Sequence, residues 1–306
     1  MSADIAALLQ TIADEAIALT DQGAVADYIP ALANVPPRQF GIAVATVDGA
    51  LYRAGSADQA FSIQSISKLF ALTLALQREG DDLWQRVGRE PSGTPFNSLV
   101  LLERESGVPR NPFVNAGALV ITDVLCHRYL QPERAVLEFI HRLLGRTNVA
   151  IDAQVARSER LHSDRNSAIA HFMRSFGNLR QDVAAILDTY CAQCAIAMSC
   201  AELARAALFL AADGVQPGGT RVLDAPDARR INALMLTCGA YDAAGDFAFR
   251  IGLPTKTGVG GGILAIVPGR MSICAWSPRL DATGNSIAAA AAIERFAAAT
   301  GLSIFR

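Results

Sequence analysis

The sequence Ser65-Ile66-Ser67-Lys68, together with Lys256-Thr257-Gly258 far downstream, decides how this 306-residue chain is expected to fold and to work. The tetrapeptide enters the apolar run Leu69-Phe70-Ala71-Leu72, which is typical of a buried helix. Side chains three residues apart lie on one helix face, so we expect the Ser65 hydroxyl within reach of the Lys68 amine. The Lys-Thr-Gly segment favours a strand edge that lines the opposite wall of a cleft.

A serine hydroxyl is a weak nucleophile until a neighbouring base takes its proton. Lys68 can be that base only when its amine is neutral, so its pKa has to be lowered by burial or by a second cation, which Lys256 can supply. The Ser65 N–H, near a helix start, would help to hold an oxyanion. For the tetrapeptide alone, a capping serine with a solvated lysine is the better interpretation. The downstream Lys-Thr-Gly reverses that preference, because the pair is the acyl-transfer signature of penicillin-recognising and related hydrolases.

Composition and charge exclude several classes of protein. The chain is 51% hydrophobic and 18% charged, which is typical of a compact globular protein. Its formal net charge of −2 provides no basic field, so we expect no nucleic-acid partner. No stretch is long and apolar enough to cross a bilayer, and the N-terminus, with an early Asp4, does not resemble a signal peptide. We therefore expect a cytoplasmic protein without a membrane partner.

Cysteine and histidine usage argues against a metal or redox site. The six cysteines lie mostly in apolar surroundings, as expected for reduced, buried thiols. Cys191-Ala-Gln-Cys194 has metal or redox spacing, but no second Cys or His pair lies nearby in the sequence. The four histidines show no metal spacing, and there is no G-x-S-x-G elbow, so the base is not expected to be histidine.

The order of predicted elements indicates an α+β fold in which an antiparallel sheet is flanked by helices and carries an inserted all-helical lobe. Because the strand pairs lie near the two ends of the chain, we expect them to join in one sheet. The predicted elements are a helix over 3–21, a hairpin of 40–47 and 51–53, a helix over 61–77, a helical block over 80–230, a hairpin of 253–268 and 271–277, and a helix over 284–299. The same order assigns residues 1–65 and 235–306 to a discontinuous sheet domain and 66–234 to a mainly helical domain, with the active site at their interface.

Two alternative interpretations of motifs remain to be weighed. The run Gly258-Val259-Gly260-Gly261-Gly262 resembles a phosphate-binding loop, but it precedes a predicted strand and not a helix. Such glycines instead permit close backbone approach and an N–H for the oxyanion, or form a simple bulge. A penicillin-recognising enzyme also needs S-x-N between the two motifs, and Ser163-Asp164-Arg165-Asn166 has one residue too many. This weakens the penicillin interpretation.

Further motifs resemble those of the serine-dependent glutaminase family. The resemblance runs in order from about residue 25 to 285. It rests on the segments Tyr28-Ile29-Pro30, Gln64-Ser65-Ile66-Ser67-Lys68, Gly88-Arg89-Glu90-Pro91-Ser92-Gly93, Asn111-Pro112-Phe113-Val114-Asn115-Ala116-Gly117-Ala118, Ser158-Glu159-Arg160, Asp164-Arg165-Asn166, Cys238-Gly239-Ala240-Tyr241-Asp242, Gly252-Leu253-Pro254-Thr255-Lys256-Thr257-Gly258-Val259 and Trp276-Ser277-Pro278.

The resemblance implies a β-lactamase/transpeptidase-like fold and cofactor-free hydrolysis of L-glutamine to L-glutamate and ammonia, by a homodimer or homotetramer. By the family's pattern Ser65 is the nucleophile, Lys68 is its base, and Tyr241 lies near them and relays a proton to the leaving ammonia. Which of Lys68 and Tyr241 is the dominant base stays open, and Lys256 is assigned a supporting role. The substrate-binding residues implied are Tyr28, Ser65, Asn115, Glu159, Asn166, Tyr190, Tyr241 and Val259, the last through its backbone at the oxyanion.

The chemistry of these residue types agrees with a free amino acid as substrate. An ammonium group needs an acid, which suits Glu159, and a carboxylate needs neutral donors, which suits Asn166 and Tyr190. Taken singly, each is better explained as a cap, turn or core residue. The rival interpretations are a penicillin-recognising esterase or β-lactamase and a non-catalytic amino-acid sensor.

Overall fold

The structure is a computed structural model that describes residues 2–93 and 99–305. Met1 and Arg306, the outer bounds of the predicted sheet domain, lie outside the described residues, as do residues 94–98 of the predicted helical block. Within the two described ranges no helix is long and apolar enough to cross a membrane.

The strands follow one another along the chain as β1 (Ala24–Val25), β2 (Gly41–Thr46), β3 (Leu51–Gly55), β4 (Phe61–Ser62), β5 (Ala150–Ile151), β6 (Ile196–Met198), β7 (Thr255–Thr257), β8 (Gly262–Val267), β9 (Met271–Trp276) and β10 (Arg279–Leu280). The α-helices are α1 (Ser2–Ile17), α2 (Ser67–Glu79), α3 (Val100–Arg104), α4 (Asn115–Arg128), α5 (Pro132–Leu144), α6 (Ala153–Leu161), α7 (Asp164–Ser175), α8 (Val183–Cys194), α9 (Cys200–Ala206), α10 (Leu208–Ala211), α11 (Ala225–Cys238), α12 (Ala244–Arg250) and α13 (Ile287–Thr300). Short 3-10 turns cover Leu32–Asn34, Gln64–Ile66, Gly80–Gln85 and Tyr241–Ala243.

A five-stranded antiparallel sheet in the order β3-β2-β9-β8-β7 is the centre of the molecule. Successive side chains of a strand point to opposite faces, so each strand contributes to two cores. In β2, for example, Ile42 and Val44 pack with α1 and α13, whereas Ala43 and Ala45 pack with the helical block through α9. The sheet is therefore covered by helices on both faces, and the predicted α+β fold class is confirmed.

The helical block surrounds α2. Helix α2 packs on α4, α5 and α8, and its residues from Ser67 to Leu76 are buried on all sides. A small sheet of order β4-β6-β5 lies where the chain enters this block. The division of the chain into two domains stays a prediction, since α9, assigned to the helical domain, packs directly on β2 and β9.

Several predicted elements are confirmed. The predicted helical block over 80–230 also contains the short strands β5 and β6, and two other elements are wrong in detail. The β2–β3 and β8–β9 hairpins form as predicted, and the predicted C-terminal helix is α13. The predicted helix over 61–77 instead begins at Ser67, because Phe61–Ser62 pairs with β6 and residues Gln64–Ile66 form a 3-10 turn. The run 253–268, predicted as one strand, is divided into β7 and β8 by a turn at Gly258–Gly261. Both corrections lie at the candidate site.

Candidate active site

Ser65 lies in the 3-10 turn just before α2 and not on the helix itself. The residue before it, Gln64, has φ 47, a left-handed conformation that non-glycine residues rarely adopt. Gly258 at the end of β7 passes close to this turn: a Cβ added there would lie 2.6 Å from the Ile63 carbonyl oxygen and 3.3 Å from the Ser65 nitrogen. The edge of the sheet thus touches the backbone of the serine, as the predicted cleft requires.

Lys68 lies one residue inside α2 and is buried. Its Nζ donates to Asn115 Oδ1 at 2.7 Å and to the Phe113 carbonyl at 3.1 Å. Burial lowers the pKa of Lys68 from 10.5 to about 8, while the nearby Glu159 carboxyl acts in the opposite direction. A substantial fraction of this amine is therefore neutral near physiological pH, which is what a general base requires.

Lys256, on the edge strand β7, is also buried, and its amine is directed at backbone carbonyls. Its Nζ donates to the carbonyls of Gly239 at 2.9 Å and Thr257 at 2.7 Å. The amine also lies 4.6 Å from the centre of the Tyr241 ring. The pKa of Lys256 is well below its usual range. Burial is the main cause, and the positive charge of Lys68 is the second. Lys256 therefore fixes the turn that carries Tyr241, and burial is the main reason for the lowered pKa of Lys68.

Tyr241 lies next to Ser65 in the wall of the site. It has φ 58, so its backbone is also left-handed. Its hydroxyl is hydrogen-bonded with Ser65 and donates to the Thr257 carbonyl at 3.4 Å. Burial raises the pKa of Tyr241, so the phenol carries its proton throughout the neutral range. A protonated hydroxyl next to the nucleophile is suited to passing a proton to a leaving group.

A cavity of about 340 Å³ opens above these groups. Every residue that the family resemblance assigned to substrate binding lines it, although the roles of these residues stay predictions. The lining consists of Tyr28, Ile29, Gln64, Ser65, Asn115, Glu159, His162, Ser163, Arg165, Asn166, Tyr190, Tyr241 and Val259. Tyr28 is 53% exposed and therefore stands at the mouth of the cavity.

A buried carboxyl forms one end of the cavity. Glu159 is 7% exposed, and its Oε2 accepts a hydrogen bond from Gln64 Nε2 at 3.1 Å. Burial raises the pKa of Glu159 from 4.5 to about 7, against the opposing effects of the Gln64 hydrogen bond and of the Lys68 charge. An ammonium group brought next to this carboxyl would favour its ionised form.

Amides and a phenol form the rest of the polar lining. Asn115 Oδ1, which accepts from Lys68, also accepts from the Tyr190 hydroxyl at 3.3 Å. The same side chain donates from Nδ2 to Asn166 Oδ1 at 2.9 Å. This chain of hydrogen bonds orients neutral donors toward the cavity and connects the base to the predicted substrate-binding residues.

Gln64 and Cys194 are among the residues at this site to which the sequence alone gave no role. Gln64 holds Glu159, and its position directly before Ser65 in the quoted motif was the available signal. Cys194 is buried beside Tyr190 and Glu159 without lining the cavity itself. Its Cys-x-x-Cys spacing pointed to metal or redox chemistry, and nothing in the sequence indicated a contact with these two side chains.

A second cavity, of about 570 Å³, is larger but lacks this chemistry. It is lined by Asp81, Trp84, Arg89, Glu90, Pro91, Arg230, Ala233, Leu234 and Thr237. None of these residues is a buried amine or carboxyl, and the predicted nucleophile is not among them. The smaller cavity is therefore the candidate active site.

The fold and the cavity define a class of protein, the hydrolases of the β-lactamase-like fold. A family model described as Glutaminase matches residues 23–305, and the chain belongs to the glutaminase family. The chain is 58% identical to a glutaminase of Paraburkholderia phytofirmans over 98% of this chain and 99% of that one. It is 57% identical to a glutaminase of Ralstonia nicotianae over 99% of this chain and 100% of that one. The enzyme is thus an amidohydrolase that acts on glutamine.

Solved structures agree with this assignment. A structure described as the probable glutaminase YbaS superposes with a TM-score of 0.91 at 39% identity, over 98% of this chain and 99% of that one. A probable glutaminase of Bacillus subtilis superposes with a TM-score of 0.90 at 32% identity, over 99% and 98%. A structure of Mglu described as its glutamate form superposes with a TM-score of 0.91 at 38% identity, over 97% of this chain and 68% of that one.

Proposed function

We propose that the chain hydrolyses L-glutamine through a glutamyl ester of Ser65, with Lys68 as the general base. One observation carries the proposal: a serine and a buried carboxyl whose pKa is raised to about 7 line one cavity, and a buried amine whose pKa is lowered to about 8 is hydrogen-bonded to Asn115 in the wall of that cavity. Groups whose pKa values burial shifts toward neutrality are typical of sites that transfer protons at neutral pH.

In the first half-reaction, the neutral Lys68 amine takes the proton of Ser65 as its Oγ attacks the side-chain amide carbon of glutamine. The negative oxygen of the tetrahedral intermediate lies between the backbone N–H groups of Ser65 and Val259. Collapse breaks the carbon–nitrogen bond, and the leaving nitrogen receives a proton through the Tyr241 hydroxyl, which Lys68 replenishes. Ammonia leaves, and the glutamyl group stays on Ser65 as an ester.

In the second half-reaction, a water molecule replaces ammonia and attacks the ester. Lys68, neutral again, takes a proton of that water, and the Ser65 oxygen leaves with the returned proton. L-Glutamate is released and the starting protonation states are restored. No group other than the substrate, water and these side chains is needed to balance the reaction.

Recognition of the amino-acid part of the substrate is assigned to the polar lining. Glu159 accepts the α-ammonium group, and the neutral donors of Asn166 and Tyr190 bind the α-carboxylate. Tyr28 covers the mouth of the cavity, and Asn115 connects the bound substrate to Lys68. The relative described in its glutamate form supports an amino-acid product in a site of this fold.

The experiment that tests the proposal compares two neighbouring serines, Ser65 in the 3-10 turn and Ser67 at the start of α2. Ser65→Ala is expected to abolish release of ammonia from L-glutamine, whereas Ser67→Ala, which removes a buried hydroxyl two residues further on, is expected to retain most of it. Acid quenching of the wild type during turnover, followed by mass spectrometry, should find one glutamyl group on the peptide that contains Ser65. Full activity of Ser65→Ala, or a glutamyl group on another residue, would refute the ester.

Two rival functions give different results in the same assays. A penicillin-recognising enzyme would be acylated stably by a fluorescent penicillin, and an amino-acid sensor would bind L-glutamine without releasing ammonia. Turnover of L-asparagine or D-glutamine as readily as L-glutamine would contradict the assigned binding residues. The homodimer or homotetramer implied by the resemblance, and the cytoplasmic location expected from the sequence, remain predictions.

A further inference from the structure

Trp276 is a buried residue of the quoted motifs to which the proposed reaction gives no role. It ends β9, between β2 and β8, and is 1% exposed. Its ring stacks on Phe61 with centroids 5.0 Å apart and planes inclined by 5°. Its indole Nε1 donates to the Gly260 carbonyl at 2.9 Å. The ring is therefore rigidly held, and its single donor is directed at one residue of the β7–β8 turn.

That turn carries Val259. The Gly261 N–H donates to the Gly258 carbonyl at 2.9 Å, which makes Val259 and Gly260 the two central residues of a β-turn. Val259 lines the cavity, and among the described residues no backbone carbonyl is hydrogen-bonded to its N–H. A backbone donor that faces a cavity and lacks a backbone partner is available to a ligand.

The turn is fixed from two sides. A Cβ added to Gly260 would lie 2.0 Å from the Ser62 carbonyl oxygen, so the turn packs directly against β4. On the other side the Trp276 indole holds the Gly260 carbonyl. The clamped Gly260 carbonyl shares its peptide plane with the Gly261 N–H, which donates to the Gly258 carbonyl at 2.9 Å. The Gly258 carbonyl in turn shares its peptide plane with the Val259 N–H, so the Trp276 contact restrains the direction of that N–H through one hydrogen bond.

We propose that Trp276 is a positioning residue of the oxyanion site: its indole N–H fixes the Gly260 carbonyl and thereby directs the Val259 N–H at the oxygen that becomes negative during attack. The inference rests on the proposed function, in which Val259 is an oxyanion donor. Donors that are oriented before the reaction stabilise the transition state without reorganising, so loss of their support lowers the rate more than the binding of substrate.

The test uses Trp276→Phe, which keeps an aromatic ring against Phe61 and removes the donor. Removal of an entire oxyanion donor lowers kcat by about 100- to 1,000-fold, so misdirecting one is expected to lower it by about 10- to 100-fold. KM for L-glutamine should stay within about two-fold, because the ground state does not depend on this contact. The matched control is Trp84→Phe, which replaces the other of the two tryptophans and should leave both constants unchanged, because Trp84 lines the larger cavity and not the candidate active site.

A second variant covers the case in which Trp276→Phe does not fold. Incorporation of β-(3-benzothienyl)alanine at position 276 keeps the bicyclic shape and the stack and removes only the N–H. The same loss of kcat is expected. An unchanged kcat in either variant, or an increase of KM with kcat unchanged, overturns the inference. If that result accompanies an inactive Ser65→Ala, the proposed function stands and only the role of Trp276 fails; if Ser65→Ala stays active, the proposed function itself fails.

Discussion

The assignment of Lys68 as the base makes a specific prediction for Asn115→Asp. The Asn115 Oδ1 atom lies 2.7 Å from the Lys68 amine, and both side chains are buried. The substitution keeps the shape of the side chain and places a negative charge on the acceptor of that hydrogen bond. An anion at this distance stabilises the protonated amine, so the pKa of Lys68 rises and the base is lost at neutral pH.

The size of the shift follows from the geometry. Two unit charges about 3 Å apart interact by about 5 kcal/mol at an effective dielectric constant of about 20, which is an upper bound of about four pKa units. Opposite charges at such contacts shift pKa values by about one to three units in folded proteins, and we take about two. The pKa of Lys68 would then rise from about 8 to about 10. At pH 8 the neutral fraction falls from about one half to about 1%, so kcat falls by about 50-fold.

The assay is the pH dependence of kcat at saturating L-glutamine, from pH 6 to 11, with glutamate measured in stopped samples. A base must be neutral, so activity is present above its pKa and is lost as the pH falls through it. The acidic limb of the kcat profile is expected to have its midpoint near pH 8 in the wild type. In Asn115→Asp this midpoint is expected about two pH units higher. Activity of the variant should recover at high pH, since the nucleophile and the oxyanion donors are intact.

The control is Asn166→Asp, which adds the same charge beyond Asn115 and leaves an acceptor for the Asn115 Nδ2 donor. Because the carboxylate of Asn166→Asp is further from Lys68, the midpoint of the acidic limb should move by less in this variant than in Asn115→Asp. A limb that stays in place in both variants, or that moves to lower pH, would refute Lys68 as the titrating base. Tyr241 would then be the remaining candidate.

Four further predictions concern recognition, packing and stability. Glu159→Gln removes the charge assigned to the substrate ammonium and should raise KM for L-glutamine about 100-fold in steady-state kinetics; a KM within two-fold of the wild type contradicts that assignment. In the wild type, the raised pKa of Glu159, about 7, means that KM should rise as the pH falls below 7. Gly258→Ala places a Cβ 2.6 Å from the Ile63 carbonyl and should lower kcat by at least about 10-fold, whereas an unchanged kcat would show that the turn tolerates displacement. The Arg86 guanidinium lies 2.6 Å from the Asp123 carboxylate, and Asp123→Asn removes the negative charge of this pair. The free energy of unfolding, measured by urea denaturation, should fall by about 3 kcal/mol. A loss below about 1 kcal/mol would contradict this explanation.

Local sequence patterns were sufficient for the two hairpins of the large sheet and for the helix at the C-terminal end. Apolar alternation around Asp48-Gly49 and around Pro268-Gly269 predicted the two hairpins that build most of the sheet. The alanine-rich C-terminal segment predicted the helix that covers one face. Order of elements along the chain then placed the N- and C-terminal strands side by side, which the β2–β9 pairing confirms.

The site itself was predictable only as a set of residues. The resemblance named side chains from separate segments, and the structure gathers them around one cavity, yet nothing local indicated the shape of the backbone that carries Ser65. The 3-10 turn before α2 arises because Phe61–Ser62 is paired with β6 and because Gly258 presses on the Ser65 backbone, and both are contacts with distant segments. The lowered pKa of Lys68 has the same origin, since it reflects burial by α4 and the cavity walls.

Backbone strain explains why this site depends on the whole fold. Among the described residues, the non-glycine residues with positive φ are Gln64, Ser106, Asp213 and Tyr241, and two of these line the cavity. Such conformations cost about 1 kcal/mol or more each and persist only where surrounding contacts impose them.

The contacts that impose them join opposite parts of the chain. Gly258 packs on the turn of Gln64, and Lys256 ties the Gly239 carbonyl, beside the turn of Tyr241, to β7. Both contacts come from the edge strand and the residue that follows it, so β7 has to dock against the 3-10 turn Gln64–Ile66 and against α11 before nucleophile and proton donor can face one another. A perturbation that loosens this edge without unfolding the sheet is therefore expected to lower activity before it lowers stability, as Gly258→Ala tests. The Lys256-Thr257-Gly258 segment therefore contacts both strained turns, that of Gln64 and that of Tyr241, and fixes their relative position.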